Sequence, residues 1–207
     1  MLLDLNSLKD KHNLCLSGIL HIGAHFGEEY SMYTGLGVTD VIFFEPVKKV
    51  FEVLSSNYKD KCILYNHALG NTSGQIEMYI EKDSNFGCSS ILEPSSNYPT
   101  DLFAGKEVVE IRKLDEYTSL DFTKYNTLNI DTQGYELEVL KGAEKIMHNI
   151  KYIFTEVNRQ VPEKPLDYVN AVDYTLVSEY LTKFGFKLVE VNWAGISWGD
   201  ALYIKYE

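Results

Sequence analysis

Residues 18–30, GILHIGAHFGEEY, set the reading of the whole chain. GILHIG (18–23) is a short apolar run of strand type, and EEYSMYTGLG (28–37) has a helical pattern that stops at glycine. Gly23 and Gly27 stand between them. A strand that turns over a glycine-bearing loop into a helix begins a parallel crossover unit. Without a Cβ, both glycines admit a ligand to the main chain, and the helix start near Glu28 offers N–H groups to a carboxylate or phosphate.

The alternation continues outward from that stretch. DVIFFEP (40–46) is a nearly continuous strand run, and VKKVFEVLSSN (47–57) carries Val47, Val50, Phe51 and Leu54 on one helical face. CILYNHAL (62–69) reads as the next strand, followed by IEMYIEK (76–82) and EVVEIRKL (107–114). TLNID (127–131), the helix ELEVLKGAEKIMHNI (136–150) and the strand YIFTEVN (152–158) resume the pattern. The helix VDYTLVSEYLTKFG (172–185) leads to two closing strands, FKLVEVN (186–192) and DALYIKY (200–206). No helix fits between those last two, so they are expected to pair antiparallel. The expectation is an α/β, Rossmann-like fold: one doubly wound, mostly parallel seven-stranded sheet with an antiparallel last strand. Residues 1–207 are read as a single domain, with 1–17 an N-terminal extension and 83–106 a long surface segment of the kind that often carries function.

Composition narrows the function. The 207 residues are 45% hydrophobic and 24% charged, which suits an ordinary globular domain. No apolar run approaches the roughly 18–20 residues of a membrane span, and the early Asp4 does not suit a signal peptide. Three dispersed cysteines, Cys15, Cys62 and Cys88, form neither a disulfide framework nor a metal knuckle and fit a reducing, cytoplasmic setting. A net charge of −11, with no basic run beyond two residues, argues against nucleic acid and for a small-molecule ligand.

In open α/β sheets, ligands sit outside the carboxyl ends of the strands. Glu45 ends the second strand 18 residues beyond Gly27, close to the spacing at which an acid holds ribose hydroxyls. The loop is neither GxGxxG nor a phosphate loop, which disfavours dinucleotides and triphosphates. S-adenosylmethionine has a ribose and a carboxylate but no phosphate, and a reversed last strand suits a class I methyltransferase better than a dehydrogenase.

The chain resembles the FkbM family of S-adenosylmethionine-dependent methyltransferases. The likeness runs from about residue 19 to residue 158 and rests on IGAHFGEE (22–29), FFEP (43–46), NHALG (66–70), GCSS (87–90), KLDEY (113–117), IDTQGYELEVLKGA (130–143) and FTEVN (154–158). The block from Ile130 is the most specific. His21, where many relatives carry an acid, His25, where Asn is common, and Gln133, where Glu is frequent, depart from the pattern. The resemblance implies a class I methyltransferase fold and O-methyl transfer, often to a sugar or natural product. It implies that Gly23, Ala24, His25, Gly27 and Glu28 surround the methionine part of the cofactor and that Glu45, beside Pro46, holds the ribose. It implies further that His67 and Ala68 flank adenine, and that Asp131 and Glu156 face the methyl group and the acceptor.

A sugar hydroxyl is a poor nucleophile, and a base that takes its proton adds about 10²–10⁴ in rate. Asp131 is the first choice for that base and His67 a distant second. Asp131 and Glu156 are alternatively a pair for a divalent cation, though two carboxylates without a third ligand make a weak site. A zinc site at His21 and His25 is disfavoured, because residues four apart on a strand stand roughly 13 Å from each other. Trp193 and Trp198 are candidates for the rim of an acceptor pocket, and Ser89 and Ser90 for shaping it. The rival functions are N-methylation of an amino sugar or small molecule, and a degenerate methyltransferase fold that binds a partner without turnover. The acceptor and the oligomeric state are not legible.

Overall fold

The computed structural model describes residues 3–82, 86–99 and 101–206. Residues 83–85 and 100 of the anticipated surface segment lie outside the described residues. In chain order the strands are β1 (Gly18–Ile22), β2 (Asp40–Phe44), β3 (Ile63–Tyr65), β4 (Ala68–Leu69), β5 (Gly74–Glu81), β6 (Phe103–Arg112), β7 (Thr127–Ile130), β8 (Tyr152–Asn158), β9 (Phe186–Ala194) and β10 (Trp198–Lys205). The helices are α1 (Leu5–His12), α2 (Tyr30–Gly35), α3 (Lys48–Tyr58), α4 (Glu136–Lys141) and α5 (Tyr174–Thr182). Seven strands form the main sheet in the order β3-β2-β1-β7-β8-β10-β9, and only β10 runs against the rest. The anticipated mostly parallel sheet with its reversed last strand is therefore present.

The central strands are apolar on both faces because helices cover both. Leu20, Ile22, Ile42 and Phe44 point to one layer with Leu128, Val139, Leu140 and Leu181. Their alternate neighbours Ile19, Val41 and Phe43 point to the other layer with Leu5, Leu8, Tyr33 and Leu54. Strand geometry dictates this, since successive side chains face opposite sides. Each of these large side chains contributes roughly 1.5–3 kcal/mol through burial, before chain entropy is counted. Part of the N-terminal extension belongs to the second layer: Asp4 caps α1 through the Asn6 N–H, and Leu5 and Leu8 are buried.

Three expectations about elements need correction. CILYNHAL is two strands rather than one. Asn66 Nδ2 donates to the carbonyls of Glu45 and Pro46, at 2.7 and 3.1 Å, and β4 leaves for a separate three-stranded sheet, β4-β6-β5. The helix anticipated over 136–150 ends at Lys141, because the chain passes so close to Gly70 that a Cβ on Gly142 would lie 2.0 Å from the Gly70 carbonyl oxygen. Finally, the described part of 83–106 is not all surface. Ser90 is fully buried and forms a bridge with Tyr79 of β5, and Cys88 N–H donates to the Glu81 carboxylate.

Candidate active site

A cavity of about 360 Å³ lies outside the carboxyl ends of β1, β2 and β7. Of the residues singled out in the sequence, Gly23, Ala24, His25, Glu28, Glu45, Pro46, His67, Ala68 and Asp131 line it. Gly27 and Glu156 do not. Met78 from β5, with Phe86, Ser89 and Ile91 from the stretch after it, adds a wall that β1 and β2 alone do not supply.

The glycine turn is built for protein contacts as much as for a ligand. Gly23, His25 and Gly27 have φ of 75°, 50° and 80°, so three residues in five are left-handed. A Cβ on Gly23 would lie 1.8 Å from the backbone oxygen of Asp131, and one on Gly27 would meet Leu54 and Tyr58 at 2.8 and 2.7 Å. Gly27, anticipated as a point of ligand approach, packs against Leu54 and Tyr58 of α3. Glu45 holds this turn in place: its Oε2 accepts the His25 N–H at 2.9 Å and its Oε1 the Val47 N–H at 2.8 Å. Burial pushes the Glu45 carboxyl up to about 7.

His67 lines the cavity with both ring nitrogens engaged, Nδ1 with the Tyr117 hydroxyl at 2.8 Å and Nε2 with Glu110 at 3.1 Å. Burial is the main cause that lowers its pKa. Both ring nitrogens thus already have partners within the protein, which weighs against the secondary role as base. His21 is buried at the end of β1 and is driven to about 4, so its ring is neutral near pH 7. Asn129 Nδ2 donates to the Tyr33 hydroxyl at 2.6 Å, and that hydroxyl in turn lies 3.2 Å from His21 Nδ1. These contacts agree with the expectation of a satisfied histidine at the edge of the core.

The electrostatic centre is Asp131 with its neighbours. Gln133 Nε2 donates to Asp131 Oδ1 and to Glu156 Oε2, both at 2.9 Å. The Gln133 backbone is left-handed at φ 54°, and Gly134 follows at 96°, which folds the amide back between the two carboxyl groups. Ser90 Oγ donates to the Gln133 carbonyl, and the Tyr168 hydroxyl lies 3.1 Å from Gln133 Oε1. Glu136 secures the same turn by accepting from Thr132 N, Thr132 Oγ1 and Gly134 N. Burial raises Asp131 to about 6 and Glu136 to about 7, and it raises Glu156 well above the usual carboxylate range, with Asp131 and Glu136 adding to it. Asp200 of β10 stands opposite Glu156 of β8 in the sheet, and with Asp131, His21 and Glu29 both line a recess of about 10 Å³, room for about one water.

Among the described residues, no group of three or more His, Cys, Asp and Glu side chains is arranged to hold a metal. The place between Asp131 and Glu156, where a cation would bridge them, is taken by the Gln133 amide. Gln133, Glu136 and Asp200 are the members of this cluster that were not chosen as site residues from the sequence. The one signal for the first is its departure from the family pattern, in which Glu is frequent at that position.

This cluster has a consequence for stability. A carboxyl whose pKa is raised by the fold stabilises it fully below its ordinary value near 4.5, and that contribution is lost as the pH climbs through the folded value. For Asp131, Glu45 and Glu136 the loss runs from about pH 4 to beyond 7. The ligand-free protein is therefore expected to melt at a higher temperature at pH 5.5 than at pH 8, as scanning calorimetry would read. A flat or rising Tm over that range would mean that these carboxyls are hydrated and charged.

The Methyltransferase FkbM domain family matches residues 21–188. Over 149 residues the chain is 27% identical to the hexuronic acid methyltransferase AglP of Haloferax volcanii, a match that takes in 70% of this chain and 57% of that protein. The chain thus spans less than two thirds of that relative's length. Among solved structures, a SAM dependent methyltransferase from Aquifex aeolicus superposes with a TM-score of 0.53 at 12% identity, covering 99% of this chain and 91% of the other. Magnesium protoporphyrin IX methyltransferase (ChlM) from Synechocystis PCC 6803, solved with bound SAM, gives a TM-score of 0.50 at 9% identity over 96% of this chain and 74% of the other. At these identities the likeness is one of fold, the class I methyltransferase fold.

Proposed function

Because the chain belongs to the FkbM methyltransferase family, we propose that it transfers a methyl group from S-adenosylmethionine to a hydroxyl of a sugar or a sugar-containing small molecule. The observation that carries this reading is the Asp131 carboxyl, in the cavity wall with one oxygen held by Gln133 and its pKa raised by burial to about 6. A base of that strength is mostly ionised at neutral pH yet accepts a proton readily, which is the compromise general-base catalysis favours. The likeness to a hexuronic acid methyltransferase supports a sugar as acceptor.

The cavity suits the cofactor. Met78, Ala68, Leu69 and Ile91 offer an apolar side for adenine, and each Glu45 oxygen keeps a second lone pair for a ribose hydroxyl after accepting its backbone N–H. Gly23, Ala24, His25 and Glu28 line the end assigned to the methionine portion. When bound, S-adenosylmethionine supplies an activated methyl group. Asp131 takes the proton of the acceptor hydroxyl, and Gln133 fixes the carboxylate that receives it. Glu156 lies behind Gln133, and its raised pKa disfavours a second negative charge beside Asp131.

Calorimetric titration with S-adenosylhomocysteine tests the cofactor half. Micromolar binding is expected for the wild type and none for NAD. Glu45→Ala is expected to weaken binding by at least about tenfold and to lower Tm, because the buried Val47 N–H loses its acceptor at about 1–3 kcal/mol and the part-buried His25 N–H loses its own. A folded wild-type protein with no affinity for S-adenosylhomocysteine would overturn the reading. Transfer of a labelled methyl to a panel of methyl glycosides, with acid-stable ether as product, tests the acceptor half.

A further inference from the structure

Beyond Gln133 lies a second, open groove of about 540 Å³, and Gly87 and Gln133 belong to its wall and to that of the first cavity. It is assembled from stretches far apart in sequence: the region after β5, the loop carrying Lys164 to Tyr168, and the turn between β9 and β10. Two of its features are unspent. Trp198, 37% exposed, makes no aromatic or cation–π contact among the described residues, whereas Trp193 is covered by Arg159 at 4.4 Å and by Tyr174. Lys164 forms no side-chain ion pair among the described residues, in a protein whose net charge is −11.

Several other polar groups of the groove have partners within the protein. Asp167 accepts from Asn97 Nδ2 at 2.8 Å, and the Tyr98 hydroxyl donates to that of Tyr168 at 3.2 Å. Glu156 lies behind the Gln133 amide, and burial with the carboxylates around it pushes its pKa up, which weakens its charge toward an anion. The turn that carries Trp198 is braced: Arg159 donates from its backbone N–H to Ser197 O at 2.8 Å and from Nε to Ile196 O at 2.7 Å. An exposed indole face carried on a braced turn suits the C–H face of a pyranose. An unpaired ammonium in the same groove suits a carboxylate by charge complementarity.

We propose that this groove is the acceptor site and that it takes a sugar bearing a carboxylate, with the ring on Trp198, the carboxylate paired with Lys164 and a hydroxyl directed past Gly87 and Gln133 toward Asp131. The proposal deepens the methyltransferase reading above and rests on it for the direction of the hydroxyl, but sugar binding in the groove does not depend on it.

The test uses Trp193→Phe, which leaves Trp198 as the sole tryptophan, and follows its fluorescence on titration with methyl glucuronide or methyl glucoside, with and without S-adenosylhomocysteine. A saturable change is expected, with the glucuronide bound at least about tenfold more tightly than the glucoside. Adding Lys164→Met is expected to bring the two sugars within about twofold of each other while leaving S-adenosylhomocysteine affinity as it was. Saturation-transfer NMR of the same sugars on the wild type makes the result independent of the Trp193 change. Binding of neither sugar, equal binding of both, or a preference that survives Lys164→Met would overturn the proposal. Sugar binding without any affinity for S-adenosylhomocysteine would sustain the groove and sink the methyltransferase reading instead.

Discussion

Asp131→Asn is expected to lower kcat for methyl transfer by about 10²–10⁴, the usual worth of a positioned general base. The change is isosteric, and the new side-chain carbonyl still accepts from Gln133 Nε2, so cofactor affinity should change far less than kcat. The wild-type rate should rise with pH through about 6 as Asp131 ionises, and that limb should vanish in the variant. The same variant is expected to be more stable than the wild type at pH 8. It removes one negative charge from a group in which Asp131 raises the pKa of both Glu136 and Glu156. Loss of S-adenosylhomocysteine affinity as large as the loss of kcat would reassign Asp131 to cofactor binding.

Gly23→Ala should have the largest effect on stability. Its Cβ would sit 1.8 Å from the Asp131 carbonyl oxygen, inside any tolerable contact, and both partners are main chain. The two strands cannot part to make room, because Ile22 O accepts the Asp131 N–H at 2.9 Å and Gly23 N–H donates to Phe44 O at 2.9 Å. The left-handed backbone alone costs alanine about 1–2 kcal/mol. With the clash added, a loss beyond about 4 kcal/mol is expected, a fall in Tm of roughly 10 °C or more, or no soluble protein. Gly35→Ala is the matched control, since a Cβ there meets nothing within 4 Å. A Gly23→Ala protein that melts with the wild type would show that the β1 and β7 ends lie farther apart than described.

The sheet was legible because the relevant signals are local. Runs such as DVIFF are apolar on both faces, as only a strand buried between helices needs to be, and the missing crossover before DALYIKY dictated the reversed strand. What escaped is contact between distant segments. Nothing near Gly142 announces that Gly70 will lie against it, so the 136–150 pattern read as one helix. The split at Asn66 depends on carbonyls at the end of β2, twenty residues earlier. The site divides in the same way. Glu45, Asp131 and the glycine turn follow from strand ends and spacing, and they do line one cavity. Gln133 was noticed only as a departure from relatives, although its amide bridges Asp131 and Glu156. Asp200 is not legible as a site residue, because its proximity to Glu156 follows from the pairing of β10 with β8.

The reversal of β10 reaches beyond topology. Since β9 ends where the parallel strands end, the turn to β10 is a hairpin tip that overhangs the ligand side of the sheet, three residues long between Ala194 and Trp198. Hairpin tips tolerate insertion and replacement better than strands do. The half of the site that would hold the methyl donor is built from strand ends locked by main-chain contacts, as at Gly23. The half that would read the acceptor takes one of its three walls, the one with Trp198, from this short, exchangeable loop. Rewriting a few residues around Gly195 would therefore reshape one wall of the acceptor side while leaving the donor side untouched.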